Sequence, residues 1–445
     1  AASPSSRRES RNFEPMPPEA QKGPPSPLVP RLRLKQCITD DAVPSSLRCA
    51  TLVVGKRLFL FPKGRDGMCD LQFAMVMDLV TLRLWALRVM GSLPLRCRCS
   101  FLVVGESICV FPCDSSGRAD LKLAFILTSA EEDRVYSQGC YVELDIPGPC
   151  QCEFVVVGRS CLIFPHDGDG NYDLTQACVL DTELLTLRVC GGIIAPAPLP
   201  DLPKCLFVTV GFRVCCFPQN QTMKVSIGHS WVTDTNLGMV RLDVSPAPGC
   251  TMPPPSQALL KVVGSRVVLF PHDSLQRLNL AELCVLDSET GQVRTVGVEG
   301  DEQPPPAKCQ LLVVDGLVVI VPEEADGRTS QVWVLDASNV DRDSLLSVWS
   351  LPVDFSGLGS VTDLRFFVVA GKVFIVPGLR QTCSNVCVLS PSDRMCRSYA
   401  IDALSTAAHG YEVEPCGTDL IFIPFDGSGR RCVGDVSVLD CTLVS

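Results

Sequence analysis

The sequence predicts an all-β fold, an eight-bladed β-propeller of four-stranded antiparallel blades. An N-terminal strand is expected to complete the last blade. Three observations predict it. A short apolar hairpin ending in a residue followed by Pro recurs eight times, at Phe61-Pro62, Phe111-Pro112, Phe164-Pro165, Phe217-Pro218, Phe270-Pro271, Val321-Pro322, Val376-Pro377 and Ile423-Pro424. Successive prolines are separated by 50, 53, 53, 53, 51, 55 and 47 residues. The apolar residues come in runs too short to span a bilayer, which needs about 20 residues in a helix, and Gly and Pro bound those runs as they bound buried strands.

Within each repeat the elements follow in order. A Gly lies seven residues before the Pro in six repeats (Gly55, Gly105, Gly158, Gly211, Gly264, Gly417) and six before in two, Gly316 and Gly371. Val-Val-Gly therefore ends a first strand, a, in a tight turn. The run that follows, such as Arg57-Leu58-Phe59-Leu60-Phe61, is strand b. A connection this short forces an antiparallel hairpin. The Pro then ends the ladder because it has no N–H to donate.

A third strand, c, ends in Leu-Asp or a relative at Leu180-Asp181, Leu286-Asp287, Leu335-Asp336 and Leu439-Asp440, more loosely at Met77-Asp78 and Thr233-Asp234, and as Leu389-Ser390. Strand d follows, often with Arg seven residues on: Arg188, Arg241, Arg294 and Arg397. Pro-rich connections such as Ala195-Pro196-Ala197-Pro198 and Pro304-Pro305-Pro306 lead to the next repeat. Four strands and a linker make a propeller blade.

The last repeat has strands a, b and c but no d before the chain ends at Ser445. Leu32-Arg33-Leu34 reads like the d strands Leu82-Arg83-Leu84 and Leu187-Arg188-Val189. Arg33 precedes Gly55 by 22 residues, as Arg83 precedes Gly105. Residues 31–38 are thus expected to be the outermost strand of blade eight, antiparallel to Val436–Leu439. The domain is expected to run over 31–445. Residues 1–30, rich in Ser, Pro and Arg, read as a disordered or surface-laid arm.

The repeat resembles the kelch repeat of galactose-oxidase-type propellers. The closest stretch runs from Phe164-Pro165-His166-Asp167-Gly168-Asp169-Gly170-Asn171-Tyr172 to Val179-Leu180-Asp181-Thr182-Glu183, and the resemblance covers about residues 31–445. It implies a propeller topology. Two departures make it divergent: Pro replaces the double glycine that closes strand b, and of the late tryptophans only Trp85 and Trp349 fall near their place.

Composition excludes several function classes. Lys and Arg number 39 against 49 Asp and Glu, a net charge of −10, which does not suit a phosphate-binding surface. No nucleic-acid partner and no transmembrane segment are expected. The 25 cysteines are an odd number, many inside strands, and no Cys-x-x-Cys pair occurs, only Cys97-x-Cys99 and Cys150-x-Cys152. A chain with ample core needs no disulfide framework. The cysteines read as free thiols filling small apolar spaces, inert where buried, in a reducing intracellular compartment. That compartment is the cytoplasm, or an organelle after loss of a leader, since the sequence opens on Ala1 rather than Met.

Candidate sites are weak. Cys49, Cys99, Cys152, Cys205 and Cys309 recur at the start of strand a, on the face of Thr51, Phe101, Phe154, Phe207 and Leu311, and read as packing. Asp167, Asp169, Asn171 and Asp173 have the oxygen density of a calcium loop and partly resemble the calcium loops of integrin-type propellers. Asp66, Asp70, Asp114 and Asp120 echo them more thinly. Because Asp-Gly and Asn are also what turns require, the stretch reads as a turn. His166 and His272 occupy matching places in non-adjacent blades and do not form the His/Tyr ligand set of kelch-fold copper oxidases. No nucleophile-elbow, P-loop or dinucleotide motif occurs. No catalytic, cofactor or metal residue is therefore assigned. The expectation is a non-catalytic scaffold binding protein partners through loop rims, a subunit of a larger assembly. Candidate rim segments are Pro218–Ser230, Val298–Lys308 and Asp336–Asp363. The alternative is a propeller enzyme or sugar-binding protein using the central channel.

Overall fold

The computed structural model describes residues 31–444, except 37, 40–43, 45–46, 95, 132–133, 192–203, 236–239, 282, 301–303, 324–330, 341–344, 356–357, 359–362, 379–384 and 403–408. The arm expected at 1–30 and the linker at 195–198 lie outside the described residues. The described chain is all-β with almost no helix, a propeller-like arrangement of four-stranded antiparallel sheets.

Each sequence repeat forms the expected meander. In repeat 1 strand a is Cys49–Val54, b Arg57–Pro62, c Phe73–Asp78 and d Arg83–Met90, each antiparallel to the next. The a–b turns show why glycine shifts by one place. Gly55 holds φ +57° at the first central position, as a type II′ turn requires. In repeat 6 Asp315 and Gly316 both have positive φ, +46° and +86°, the type I′ pattern. The turn keeps its length while the glycine moves from its first to its second residue.

The core lies between repeats. Eight clusters of buried apolar side chains form, each shared by two successive repeats. One joins repeat 8 to repeat 1 through Cys49, Leu58, Leu60, Ile421 and Ile423. The residue before the repeat's Pro stacks on strand a of the next repeat: Phe61 on Phe101 at 5.1 Å, Phe111 on Phe154 at 4.5 Å, Phe164 on Phe207 at 4.0 Å. The packing is thus cyclic, which a repeat array needs in order to leave no apolar face exposed.

The sheet edges depart from expectation in two ways. First, the repeats do not form eight separate sheets. Strand d of repeat 1 pairs in parallel with d of repeat 2 (Arg134–Gly139), Val89 opposite Val135. Strand d of repeat 5 (Gln292–Glu299) does the same with d of repeat 6 (Leu345–Pro352), Gly297 opposite Leu345. Two nine-stranded sheets result, beside two of five strands and two of four. Strand d of repeats 1, 5 and 6 runs past its strand-c partner, and free edge N–H and C=O groups pair with the neighbour.

Second, residues 31–38 are not one strand. Lys35–Gln36 takes the missing fourth place of repeat 8, antiparallel to Ser437–Asp440, with Lys35 opposite Val438. That is the register the Arg33–Arg83 spacing predicts, since Trp85 stands opposite Val76 in repeat 1. Arg31–Arg33 pairs instead in parallel with strand d of repeat 7 (Met395–Asp402), and Ile38–Thr39 in parallel with strand d of repeat 1. The segment therefore bridges three repeats. Leu32 is buried, and it and Leu34 pack in one cluster with Leu439 and Cys441.

Candidate functional site

The Pro that closes strand b opens a turn whose geometry repeats. In repeat 3 Asp167 Oδ1 accepts from the N–H groups of Asp169 (2.9 Å) and Asn171 (2.8 Å), and Oδ2 accepts from Asn171 Nδ2 at 2.8 Å. These donors hold the Asp167 carboxyl below the usual range. The N–H of Asp173 returns to the Pro165 carbonyl at 2.9 Å, and the Asp173 side chain caps the 3₁₀ turn Leu174–Gln176 through Thr175. Asp114, Asp273 and Asp426 accept from the same two positions, and Asn220 does so without a charge. Oδ1 of Asp167 and Oδ1 of Asp173 are thus engaged by backbone N–H groups of the turn. Among the described residues no group of three or more His, Cys, Asp or Glu side chains is placed to hold a metal.

His166 and His272 sit at the same point of this turn, each Nδ1 against the carbonyl of the following aspartate, at 2.8 and 2.9 Å. They lie two repeats apart and share no site. His166 meets the edge of Tyr172, whose hydroxyl donates to Glu153. Burial and that carboxylate push the Tyr172 hydroxyl up. Around His272 a cleft of about 520 Å³ is lined by Pro253, Pro254, Pro271 and Pro306 with Asp273 and Arg277.

The strand-a cysteines face the preceding repeat, as packing requires. Cys49, Cys205 and Cys309 are buried, Cys99 and Cys152 half-buried. Burial pushes the Cys49 thiol up to about 11 and the Cys309 thiol up to about 12. The described cysteines are unbonded thiols.

The candidate rim segments behave differently from their length. Pro218–Ser230 is the packed turn just described, with Val225 and Ile227 buried. Asp336–Asp363 contains strand d of repeat 6 and the buried Val353, Phe355 and Leu358. Val298–Lys308 begins within strand d of repeat 5, and 301–303 are outside the described residues. Exposed apolar side chains lie on short turns at both ends, Leu123 and Leu275 on b–c turns and others at the a–b and c–d end. The Leu-Asp aspartate caps the c–d turn in repeats 1, 3, 5 and 6. Asp78 Oδ1 accepts from the N–H groups of Val80 and Thr81 at 2.8 Å, and Asp181 Oδ1 from Glu183 and Leu184 at 2.9 Å. Asp287, Asp336 and Asp440 act likewise. The capped turns hold apolar side chains outward: Val80 is 67% exposed, Leu184 72% and Leu443 74%. On an a–b turn of the same rim, Phe212 is 55% exposed, its ring lying over Gly158. Loop length in the sequence conceals this rim. The Leu-Asp signal reveals it, once that aspartate is read as a cap.

No protein-family model matches the chain, and no curated protein matches it. No helix among the described residues is long and apolar enough to cross a membrane.

Proposed function

We propose that this protein is a non-catalytic, kelch-like scaffold of eight blades that binds a protein partner through the rim of capped turns, as a subunit of a larger assembly. The observation that carries the reading is the set of exposed apolar side chains, Val80, Leu184, Phe212 and Leu443, on turns fixed by side-chain caps or tight glycine geometry. Apolar groups held rigidly at a rim lose little entropy on binding, which is how hot spots gain affinity. The eight blades rest on the eight inter-repeat clusters, whose last member returns to repeat 1. The departures in the strand-b ending leave the kelch likeness one of topology. Free thiols throughout the core support a reducing intracellular compartment.

The test is affinity purification of the full chain from its native source, beside a variant carrying Val80→Ser, Leu184→Ser and Phe212→Ser. The variant is expected to keep its melting temperature and lose protein chains that the wild type retains. Identical sets of co-purifying chains would overturn the rim assignment.

A further inference from the structure

The two Cys-x-Cys motifs lie at the partly buried margins of the core clusters between repeats 1 and 2 and between repeats 2 and 3. Cys97 and Cys99 stand at the start of strand a in repeat 2 (Arg98–Val104), Cys150 and Cys152 at the same place in repeat 3 (Gln151–Val157). Residues two apart on a strand share a face, and the sulfurs meet: Cys97 Sγ to Cys99 Sγ is 3.1 Å, Cys150 Sγ to Cys152 Sγ 3.4 Å. All four are half-buried. A further close pair, Cys387 and Cys396 at 3.0 Å, is shut in by the complete burial of Cys387, and Cys205 and Cys216 are both buried. Each motif also lies on a seam between repeats. Cys97 accepts from the N–H of Cys69 at 2.8 Å, and Cys150 exchanges two backbone hydrogen bonds with Ala119 at 2.8 and 3.1 Å.

We propose that Cys150 and Cys152 form a reversible dithiol site that exchanges with low-molecular-weight disulfides, with Cys97 and Cys99 as a second copy. The Cys150 thiolate attacks one sulfur of the small disulfide. Its S–S bond breaks, and one half leaves as a thiolate that takes up the proton Cys150 gave. Cys152 then loses its proton and attacks the Cys150 sulfur. The second half leaves with that proton, and a Cys150–Cys152 bond remains. Two protein thiols are oxidised and one disulfide is reduced to two thiols.

Two features suit these roles. The two sulfurs share a hydrogen bond, which lowers the Cys150 thiol against the opposing effects of burial and the Asp120 charge, with Arg118 helping, and which with burial raises Cys152. Cys150 is therefore the attacking group. The strand then makes the product labile. Its residues advance about 3.3 Å each, so the two Cα atoms lie about 6.6 Å apart, near the upper limit for a disulfide, and the side-by-side Cβ atoms exceed the usual separation of about 3.8 Å, so closure must bend the strand. A bond closed at that limit is strained and readily reduced.

The experiment treats the reduced full chain with glutathione disulfide under native conditions. Remaining thiols are blocked with N-ethylmaleimide, and a digest that leaves each pair on one peptide is analysed by mass spectrometry. The peptides holding 150–152 and 97–99 are expected to lose two hydrogens each while Cys109, Cys161 and Cys215 stay reduced. In Cys152→Ser a glutathione adduct should accumulate at Cys150, about tenfold faster than at Cys152 in Cys150→Ser. Two maleimide groups on the 150–152 peptide, once exposed Cys250 has become a mixed disulfide, would overturn the proposal. Absence of an adduct in folded Cys152→Ser would also do so. Should the variants not fold, the wild-type comparison with Cys250 decides alone.

Discussion

Lys35 Nζ stands 3.6 Å from Asp440 Oδ2, a contact between the N-terminal segment and the last strand of the repeat array. Its meaning comes from the other repeats. The first residue of strand b lies opposite the aspartate that ends strand c, and where it is Arg the two pair: Arg213 with Asp234 at 2.9 Å, Arg266 with Asp287 at 3.1 Å. In repeat 8 that position is Asp419, opposite Asp440, so two carboxylates face each other. The cation comes instead from the inserted strand.

Removing that cation should destabilise the closure modestly. Lys35→Ala is expected to lower stability by under about 1 kcal/mol, the range of exposed ion pairs. Lys35→Glu should cost more, and Asp419→Arg, which restores the arrangement of repeats 4 and 5, should recover the loss. Denaturant midpoints at low and high salt check this. The losses should shrink at high salt.

The pH dependence of Asp419 has a definite sign. Burial, then the Asp440 charge, raise its carboxyl, while Lys35 lowers it. A raised folded value means the group favours the folded state only when protonated. Its contribution is fully present below the unfolded value of 3.8 and is lost as pH rises through the folded value. Asp419→Asn should therefore raise the melting temperature at pH 7 and have no stabilising effect below pH 3.8. A gain that persists in acid would contradict the assignment.

The stacked phenylalanines should dominate stability. Phe164 is fully buried against Phe207, and Phe164→Ala is expected to cost about 3–5 kcal/mol. Leu184→Ala, at an exposed turn, should stay within about 0.5 kcal/mol. Urea unfolding of both variants separates core from rim.

The turn at Asp167 predicts a permissive pattern. Asp167→Asn should be tolerated, because Asn220 makes the same contacts in repeat 4. Asp167→Ala should lower the melting temperature, since two backbone N–H groups lose their acceptor. Calcium should shift neither. A calcium-dependent rise in wild type that Asp167→Asn abolishes would restore the ion-binding reading.

Much of the fold was legible because its signals are local. Gly55 and its equivalents mark hairpins, and Pro62 and its equivalents mark the end of strand b to within one residue, the strand running on to Cys113, His166, Gln219 and His272 in repeats 2 to 5. The register of Lys35 against Val438 followed from spacing alone. The parallel pairing of Val89 with Val135, and the division of 31–39 among three repeats, were not legible. Such edge contacts depend on which N–H and C=O groups are left free after the meanders pack, and no side-chain pattern records that. The rim was hidden for the opposite reason. Length marks Pro218–Ser230, where Val225 and Ile227 are buried, while the display at Val80 and Leu184 lies two and three residues past a capping aspartate.

Residues 31–36 and 38–39 tie repeats 7, 8 and 1 together, and hydrogen exchange tests this closure. Two truncated chains, beginning at residues 31 and 40, are compared peptide by peptide. Without 31–39, amides in Ser437–Asp440, Met395–Asp402 and Arg83–Met90 should exchange faster, while strand b of repeat 3 (Ser160–His166) keeps its protection. Unchanged protection of Ser437–Asp440 in the shorter chain would contradict the account.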